Sequence, residues 1–242
     1  MPKHFFFDLD KTLTMSRSPM SADHVPLFSR LCRERDVVVV TGGNMASIKA
    51  QLPRESDGMY YVLAQSGNHA VDKDGSVVWY EKLTEEQTKV VLAFVEILKR
   101  HFNVIVKDEN DLVEHRGAQI GYSVLGYHED IGKKYAFDPG DVKRAAALAA
   151  HPKEIENLHK HNIEAVPGGT TTINFYALGR HKGFNITRFL ARMGWEKQDC
   201  IYVGDALFPG GNDETVVGVI PTHPVKDHNE TFEFIESTLL AS

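Results

Sequence analysis

The 242-residue sequence is poor in cysteine, carries no excess of positive charge and contains no long apolar run. Its two cysteines, Cys32 and Cys200, are too few and too far apart for a disulfide framework or a zinc knuckle. A formal net charge of −6 gives no basic patch for nucleic acid. No stretch approaches the ~18 apolar residues of a membrane span, and the start of the sequence lacks a basic-then-apolar signal. We therefore expect a cytoplasmic protein with neither a nucleic-acid nor a membrane partner.

The composition that remains, 42% apolar and 25% charged, is that of an ordinary folded protein with one large domain or two modest ones. Short apolar runs that end near Gly, Asp, Thr or Ser are typical of buried parallel strands. Helical patterns lie between these runs. The alternation predicts an α/β fold with a doubly wound parallel sheet. The predicted strands are 4–7, 37–40, 60–64, 201–203 and 216–220, and the predicted helices are 22–35, 44–52 and 183–193.

The middle of the chain breaks this alternation. A capping box at 84–87 opens a helix, and two more helical stretches, at about 142–150 and 153–160, are separated by Pro152. The segments between them have strand character, which predicts helices on an antiparallel sheet. We expect an α+β domain at 82–178, inserted into a discontinuous α/β core formed by 1–81 and 179–242. The predicted strands of the insert are 103–106, 112–115, 119–125, 163–166 and 170–177.

Carboxylates follow two of the predicted strands of the core. Asp8 and Asp10 come directly after a strand of three aromatic residues, and Asp205 and Asp213 follow the strand at 201–203. The carboxyl ends of parallel strands meet at one edge of a sheet, which is where sites form in such folds. Carboxylates next to buried strands need a cation or a proton. This edge is therefore the predicted site.

Four segments together resemble the motifs of haloacid dehalogenase-like phosphotransferases, in the order found in that family. They are Asp8-Leu9-Asp10-Lys11-Thr12, Thr41-Gly42-Gly43 after a run of valines, Lys182, and Gly204-Asp205 with Asn212-Asp213. The resemblance implies that Asp8 is a nucleophile that becomes an aspartyl-phosphate. It also implies that Asp10 protonates the leaving group and later activates the acceptor.

The same resemblance assigns the other residues of the core site. Thr41, Gly42 and Gly43 would hold the oxygens of the transferring phosphoryl group, and Lys182 would supply a catalytic ammonium. Mg²⁺ prefers oxygen ligands, so the implied cofactor is Mg²⁺. Its implied ligands are Asp8, the backbone carbonyl of Asp10 and Asp205, with Asp213 as a further ligand or as an anchor of the others.

The large insert resembles the second type of cap in this superfamily, which Cof-like sugar phosphatases, sucrose-phosphate phosphatases and phosphomannomutases share. The likeness to phosphomannomutases extends over most of the chain. In those mutases, cap arginines hold the distal phosphate of a sugar bisphosphate. Arg17 and Arg116 match two of the arginines, whereas Tyr127 and Lys133 or Lys134 stand at other arginine positions.

Thr172 and Asn174 stand where the mutases have the serine and aspartate that hold the sugar. Lysine does not replace arginine at a bidentate phosphate site, so the departures imply a weakened distal site that favours hydrolysis. We expect a Mg²⁺-dependent phosphatase of a small sugar or polyol phosphate, a monomer or homodimer whose partner is that small molecule. A phosphomannomutase is the close alternative, and a non-catalytic sugar-phosphate-binding module is the remote one.

Overall fold

The computed structural model describes residues 2–240, which form two compact units. One unit combines the chain up to Tyr80 with the chain from Arg180 onward, and the other is Glu81–Gly179. None of the helices in residues 2–240 has the length and apolar character needed to cross a bilayer. The elements of the first unit are β1 (His4–Phe7), α1 (Val25–Glu34), β2 (Asp36–Val40), α2 (Met45–Gln51), β3 (Tyr61–Ala64), β4 (His69–Val71), β5 (Val77–Tyr80), α7 (Lys182–Met193), β10 (Cys200–Gly204), β11 (Thr222–Pro224) and α8 (His228–Leu240).

The first unit is built on a seven-stranded sheet in the order β11-β10-β1-β2-β3-β4-β5. Strands β11, β10, β1, β2 and β3 are parallel, and β4 and β5 extend the sheet as an antiparallel pair. The order runs outward from β1 in both directions, as in doubly wound sheets. The predicted α/β class is confirmed, although the sheet is mixed and not wholly parallel.

Helices cover both faces of this sheet, which explains why its strands are apolar at successive positions. Phe5 and Phe7 of β1 belong to a buried cluster with Phe28 of α1. Phe6 points to the opposite face, where its ring lies 6.3 Å from that of Phe189 in α7. Because β1, β2 and β10 are parallel neighbours, their carboxyl ends lie together at one edge.

The strands of the second unit are β6 (Val113–His115), β7 (Gln119–Ser123), β8 (Ile163–Gly168) and β9 (Thr172–Ala177). They form an antiparallel sheet in the order β6-β7-β9-β8. Ile120 and Phe175 belong to a buried cluster with Val91 and Leu158 from the helices. Alternation along the strands places Gln119, Gly121, Thr172 and Asn174 on the other face. The helices of this unit are α3 (Glu85–Phe102), α4 (Ile131–Phe137), α5 (Val142–Ala149) and α6 (Pro152–Lys160).

Two predicted strands are wrong. Segment 216–220 contains the end of a short 3₁₀ helix, Glu214–Val216, and an isolated bridge, and the edge strand is the following Thr222–Pro224. This edge strand has only three residues, with a histidine at its centre, so it contains no apolar run from which a strand could be predicted. Segment 103–106 is not a strand either, because α3 ends at Asn103 in the left-handed conformation (φ 46°). The capping box is present at Thr84. Pro152, predicted to separate two helices, follows the end of α5 and is the first residue of α6.

Candidate active site

The loop after β1 fixes Asp8 at the carboxyl edge of the sheet. The backbone amide of Asp8 donates to the Val203 carbonyl at 3.0 Å, which continues the pairing of β1 with β10, and the Asp8 side chain is buried. The chain then turns tightly, with the amide of Leu13 donating to the Leu9 carbonyl. Asp10 lies on this turn, half-buried, and its Oδ1 accepts from the Arg17 amide at 2.7 Å.

The loop after β10 brings the second pair of carboxylates to the same edge. The amide of Asp205 donates to Thr12 Oγ1 at 3.1 Å, so the two acidic loops are joined by a hydrogen bond. Asp213 is fully buried, and its backbone amide donates to the carbonyl of Ala206, just after the end of β10. A Cβ on Gly204 would lie 2.4 Å from Asp213 Oδ2. Only glycine at 204 therefore leaves room for this carboxylate.

Lys182 lies between the two acidic loops. It is the first residue of α7 and is 3% exposed. Its Nζ donates to Asp8 Oδ1 at 2.5 Å and to Asp213 Oδ1 at 2.6 Å, and it lies 3.3 Å from the hydroxyl of Tyr202. One buried ammonium thus contacts two carboxylates, Asp8 and Asp213, that are 205 residues apart in the sequence.

The charges of this cluster are not balanced by protein groups alone. Burial raises the pKa of Asp8 well above its usual value, which the Lys182 ammonium opposes and the nearby Asp213 and Asp205 carboxylates reinforce. Burial and Asp213 likewise raise the pKa of Asp205 to about 6. Burial by itself lowers the pKa of Lys182, but Asp213 and Asp8 outweigh it and raise that pKa. Lys11 and Lys182 both oppose the rise at Asp205. Three carboxylates beside these two ammonium groups still leave an excess of negative charge.

That excess fits a divalent cation. Asp8, Asp205 and Asp213 each offer a carboxylate oxygen, and these oxygens lie within 4.8 Å of one another. An all-oxygen set of this kind suits a hard cation such as Mg²⁺. The cluster of side chains does not include the Asp10 carboxylate, and the role of the Asp10 backbone carbonyl as a ligand stays a prediction. These three residues could hold a metal ion.

The turn after β2 lies beside this cluster at the same sheet edge. The Thr41 amide donates to the Leu63 carbonyl, and Thr41 Oγ1 accepts from the Gly43 amide at 3.0 Å. A Cβ on Gly42 would meet nothing within 4 Å, so no neighbouring atom crowds the space where a side chain would stand. The assignment of phosphoryl oxygens to residues 41–43 stays a prediction.

The remaining predicted residues are Arg17 and three residues of the second unit. Arg17 is an exposed residue of the first unit, in the left-handed conformation (φ 54°). Arg116, Thr172 and Asn174 belong to the second unit. There Arg116 donates through Nε and Nη2 to Glu114 Oε2, at 2.8 and 2.6 Å. Thr172 and Asn174 lie two apart on β9, and Asn174 Oδ1 is buried with no hydrogen-bond partner in residues 2–240.

The side chain of Tyr127 packs against Gly121 of β7 and lies close to Arg116. A Cβ on Gly121 would lie 2.0 Å from the Tyr127 hydroxyl, so the absence of a side chain at 121 accommodates this ring. The guanidinium carbon of Arg116 lies 5.6 Å from the ring centroid, and Lys134 Nζ donates to the Tyr127 carbonyl at 3.0 Å. Lys134 is thus a buried support for residue 127, whereas Lys133 Nζ lies 3.7 Å from Glu129.

Sequence reasoning missed three residues of these sites. Tyr202 lies within a predicted apolar strand, and the hydrogen bond that Thr12 accepts from the Asp205 amide has no local sequence signal. Arg144 is fully buried, pairs with Asp138 at 2.7 Å and donates to the carbonyl of Thr172 at 2.7 Å. The burial of Arg144 has a sequence signal. Arg144 precedes the buried Ala147 and Leu148 by three and four residues, so it lies on the same face of α5 as these apolar residues.

Comparison with known proteins agrees with this geometry. Residues 5–208 match the family model described as haloacid dehalogenase-like hydrolase. The chain belongs to this family. Within it, the chain is 26% identical over 212 residues to phosphomannomutase 2 of Dictyostelium discoideum, covering 86% of this chain and 83% of that protein. It is 22% identical over 253 residues to a phosphomannomutase of Triticum aestivum, covering 97% and 94%.

Solved structures share the fold. A haloacid dehalogenase-like hydrolase from Bacteroides thetaiotaomicron aligns with a TM-score of 0.67 at 14% identity, over 98% of this chain and all of the other. The predicted family, and its branch near the phosphomannomutases, are confirmed. Enzymes of this family include phosphatases and phosphomannomutases, so family membership indicates an enzyme without specifying the reaction.

The burial of Lys182 between two carboxylates predicts that this residue stabilises the fold. Lys182→Met should lower the free energy of unfolding by about 3–5 kcal/mol, because it leaves buried carboxylates without their partner. Urea unfolding in EDTA measures the loss, and added Mg²⁺ should recover part of it if the cation binds the folded state. Lys73→Met is the matched control, since Lys73 pairs with Asp36 at 2.8 Å but is 29% exposed. A loss for Lys182→Met no larger than the ~1 kcal/mol expected of such a partly exposed pair would contradict the buried ion pair.

Proposed function

We propose that the protein is a Mg²⁺-dependent phosphatase that hydrolyses the phosphate monoester of a small sugar or polyol through an aspartyl-phosphate. The observation that carries the proposal is the buried cluster in which Lys182 contacts both Asp8 and Asp213, with Asp205 close by. A phosphate dianion repels nucleophiles, so the catalyst must neutralise charge and align an attacking oxygen. The cluster combines an aligned carboxylate with a fixed positive charge.

In the proposed reaction, a carboxylate oxygen of Asp8 attacks phosphorus and the sugar alkoxide leaves with a proton from Asp10. Asp10 then takes a proton from water, which attacks the aspartyl-phosphate, releases inorganic phosphate and restores Asp8. Lys182 holds Asp8 in place and offsets its charge. The turn at 41–43 holds phosphoryl oxygens. When bound by Asp8, Asp205, Asp213 and the Asp10 carbonyl, Mg²⁺ would supply positive charge to the transferring phosphoryl group.

The preference for hydrolysis over isomerisation rests on the second unit. A mutase must hold the distal phosphate of a bisphosphate while that intermediate reorients. Here the Arg116 guanidinium is already paired with Glu114, and Tyr127 stands where the resemblance expects another arginine. Both features reduce the positive charge available for a second phosphate. They support a substrate whose distal end is neutral, bound by Arg116, Thr172 and Asn174.

Isomerisation is the second candidate, because the curated relatives described above are named phosphomannomutases. The test supplies the pure protein with Mg²⁺, a hexose 1-phosphate and a catalytic amount of hexose 1,6-bisphosphate. Phosphate release and hexose 6-phosphate formation are measured in parallel, and a panel of polyol and three-carbon phosphates follows. Release faster than isomerisation supports the phosphatase. Isomerisation faster than release would reject it in favour of the mutase.

Arg116 provides a prediction within this proposal. Arg116→Ala should lower kcat/KM for a hexose phosphate roughly ten- to a hundredfold, the range of a charged hydrogen bond. Turnover of phenyl phosphate should change little, because that substrate has no polar distal end for Arg116 to bind. Arg100→Ala, an exposed arginine of α3, is the control. Equal losses on both substrates would show that Arg116 does not bind the distal part of the substrate.

A further inference from the structure

Tyr202 is the residue of the cluster that the motifs do not account for. It is the third residue of β10 and is fully buried, and its ring belongs to the apolar cluster that includes Ile186 and Phe189 of α7. A phenylalanine would fill that space equally well. The hydroxyl is therefore the part that requires an explanation, because a buried polar atom costs stability unless it is hydrogen-bonded.

The hydroxyl has two partners, both in the candidate active site. It donates to Asp213 Oδ1 at 2.7 Å and lies 3.3 Å from Lys182 Nζ, from which it accepts. A lysine ammonium has three N–H donors and no acceptor. The three acceptors around Nζ are Asp8 Oδ1, Asp213 Oδ1 and the Tyr202 hydroxyl, so each N–H of Lys182 has a partner.

This arrangement fixes the direction of the bond from Lys182 to Asp8. With two N–H groups held by Asp213 and Tyr202, the third is directed at Asp8 and the ammonium does not rotate freely. Asp213 Oδ1 is likewise held by two donors, Lys182 and Tyr202. The Tyr202 hydroxyl therefore both donates, to Asp213, and accepts, from Lys182.

The packing around Gly204 keeps the hydroxyl in place. A Cβ at 204 would lie 2.8 Å from Cε1 of the Tyr202 ring and 2.4 Å from Asp213 Oδ2. The ring and the carboxylate thus both pack closely against Gly204, where a side chain would displace them. From these contacts we infer that Tyr202 is a positioning residue, whose hydroxyl orients Lys182 and Asp213 toward the Asp8 carboxylate. The inference rests on the roles proposed for Asp8 and Lys182.

Tyr202→Phe tests the inference, because it removes the hydroxyl and keeps the ring. With p-nitrophenyl phosphate and saturating Mg²⁺, we expect kcat to fall about ten- to a hundredfold, the range for a hydrogen bond to charged groups. KM should stay within about twofold, since Tyr202 acts through other residues and not on the substrate. The matched control is Tyr61→Phe, which removes a tyrosine hydroxyl from a ring packed against the same apolar cluster. An unchanged kcat, or a rise in KM alone, would overturn the proposal.

A second measurement does not depend on activity. In metal-free protein labelled with ¹⁵N-lysine, a hydrogen-bonded buried ammonium exchanges its protons slowly and gives a resolved ¹H–¹⁵N signal, which Lys182→Met assigns by its disappearance. The signal should persist in Tyr61→Phe and broaden or vanish in Tyr202→Phe. Its persistence in Tyr202→Phe would overturn the proposal even if kcat falls. If wild type lacks phosphatase activity, the proposed function fails, while the signal still decides whether Tyr202 orients Lys182.

Discussion

Asp8→Asn should lose at least about a hundredfold in turnover while the protein keeps its fold, because removal of a nucleophile abolishes the covalent route. The amide has nearly the volume of the carboxylate, and Lys182 keeps its contacts with Asp213 and Tyr202. The substitution also removes one of the three carboxylates that could hold Mg²⁺. Phosphate release from p-nitrophenyl phosphate and from a panel of sugar phosphates measures the loss, and circular dichroism checks the fold.

Asp36→Asn is the matched control for Asp8→Asn. Asp36 begins β2 at the opposite edge of the same sheet and pairs with Lys73, as Asp8 pairs with Lys182. Wild-type turnover in this control, with a loss in Asp8→Asn, would place the effect at the carboxyl edge. An acid-quenched reaction of wild type should also contain protein heavier by one phosphoryl group, absent from Asp8→Asn. If Asp8→Asn keeps more than about a hundredth of wild-type turnover, the covalent mechanism is wrong.

The sequence predicts the catalytic edge well because local patterns encode it. Strands β1, β2 and β10 are buried on both faces, so each appears in the sequence as an apolar run. The runs lead into Asp8, Thr41 and the pair Gly204-Asp205, respectively. Parallel pairing then brings Asp8 and Asp205 to one edge without further information. The predictions failed where that signal is missing, as in the three-residue edge strand β11.

Contacts between distant residues could not be predicted in the same way. That Lys182 contacts both Asp8 and Asp213 depends on how α7 packs against the sheet, and no local pattern specifies that packing. The hydroxyl of Tyr202 is hidden for a related reason, because tyrosine is common in apolar strands and only the structure places its oxygen against Asp213. The pairing of Arg116 with Glu114 was also unforeseen, although the two residues are close in sequence.

The last prediction concerns the proton that the leaving group needs. Asp10→Asn should lower kcat for a hexose phosphate by about 10²–10⁴-fold, the usual contribution of a general acid or base. The release of p-nitrophenolate should fall less in the first chemical step, because that leaving group departs without a proton. Single-turnover kinetics with both substrates separates this step from the hydrolysis of the aspartyl-phosphate, in which Asp10 is proposed to act as the base.

The local structure makes this substitution a fair test. Asp10 Oδ1 accepts from the Arg17 amide, and the carbonyl oxygen of asparagine can accept the same hydrogen bond, so the turn after β1 should persist. Asp74→Asn is the matched control, because Asp74 Oδ1 likewise accepts a backbone amide, that of Ser76, in the turn between β4 and β5. Equal losses of the first step on the two substrates would argue against Asp10 as the acid, since a general acid must matter most where the departing oxygen is most basic. Unequal losses, with Asp74→Asn unchanged, would assign the proton to Asp10.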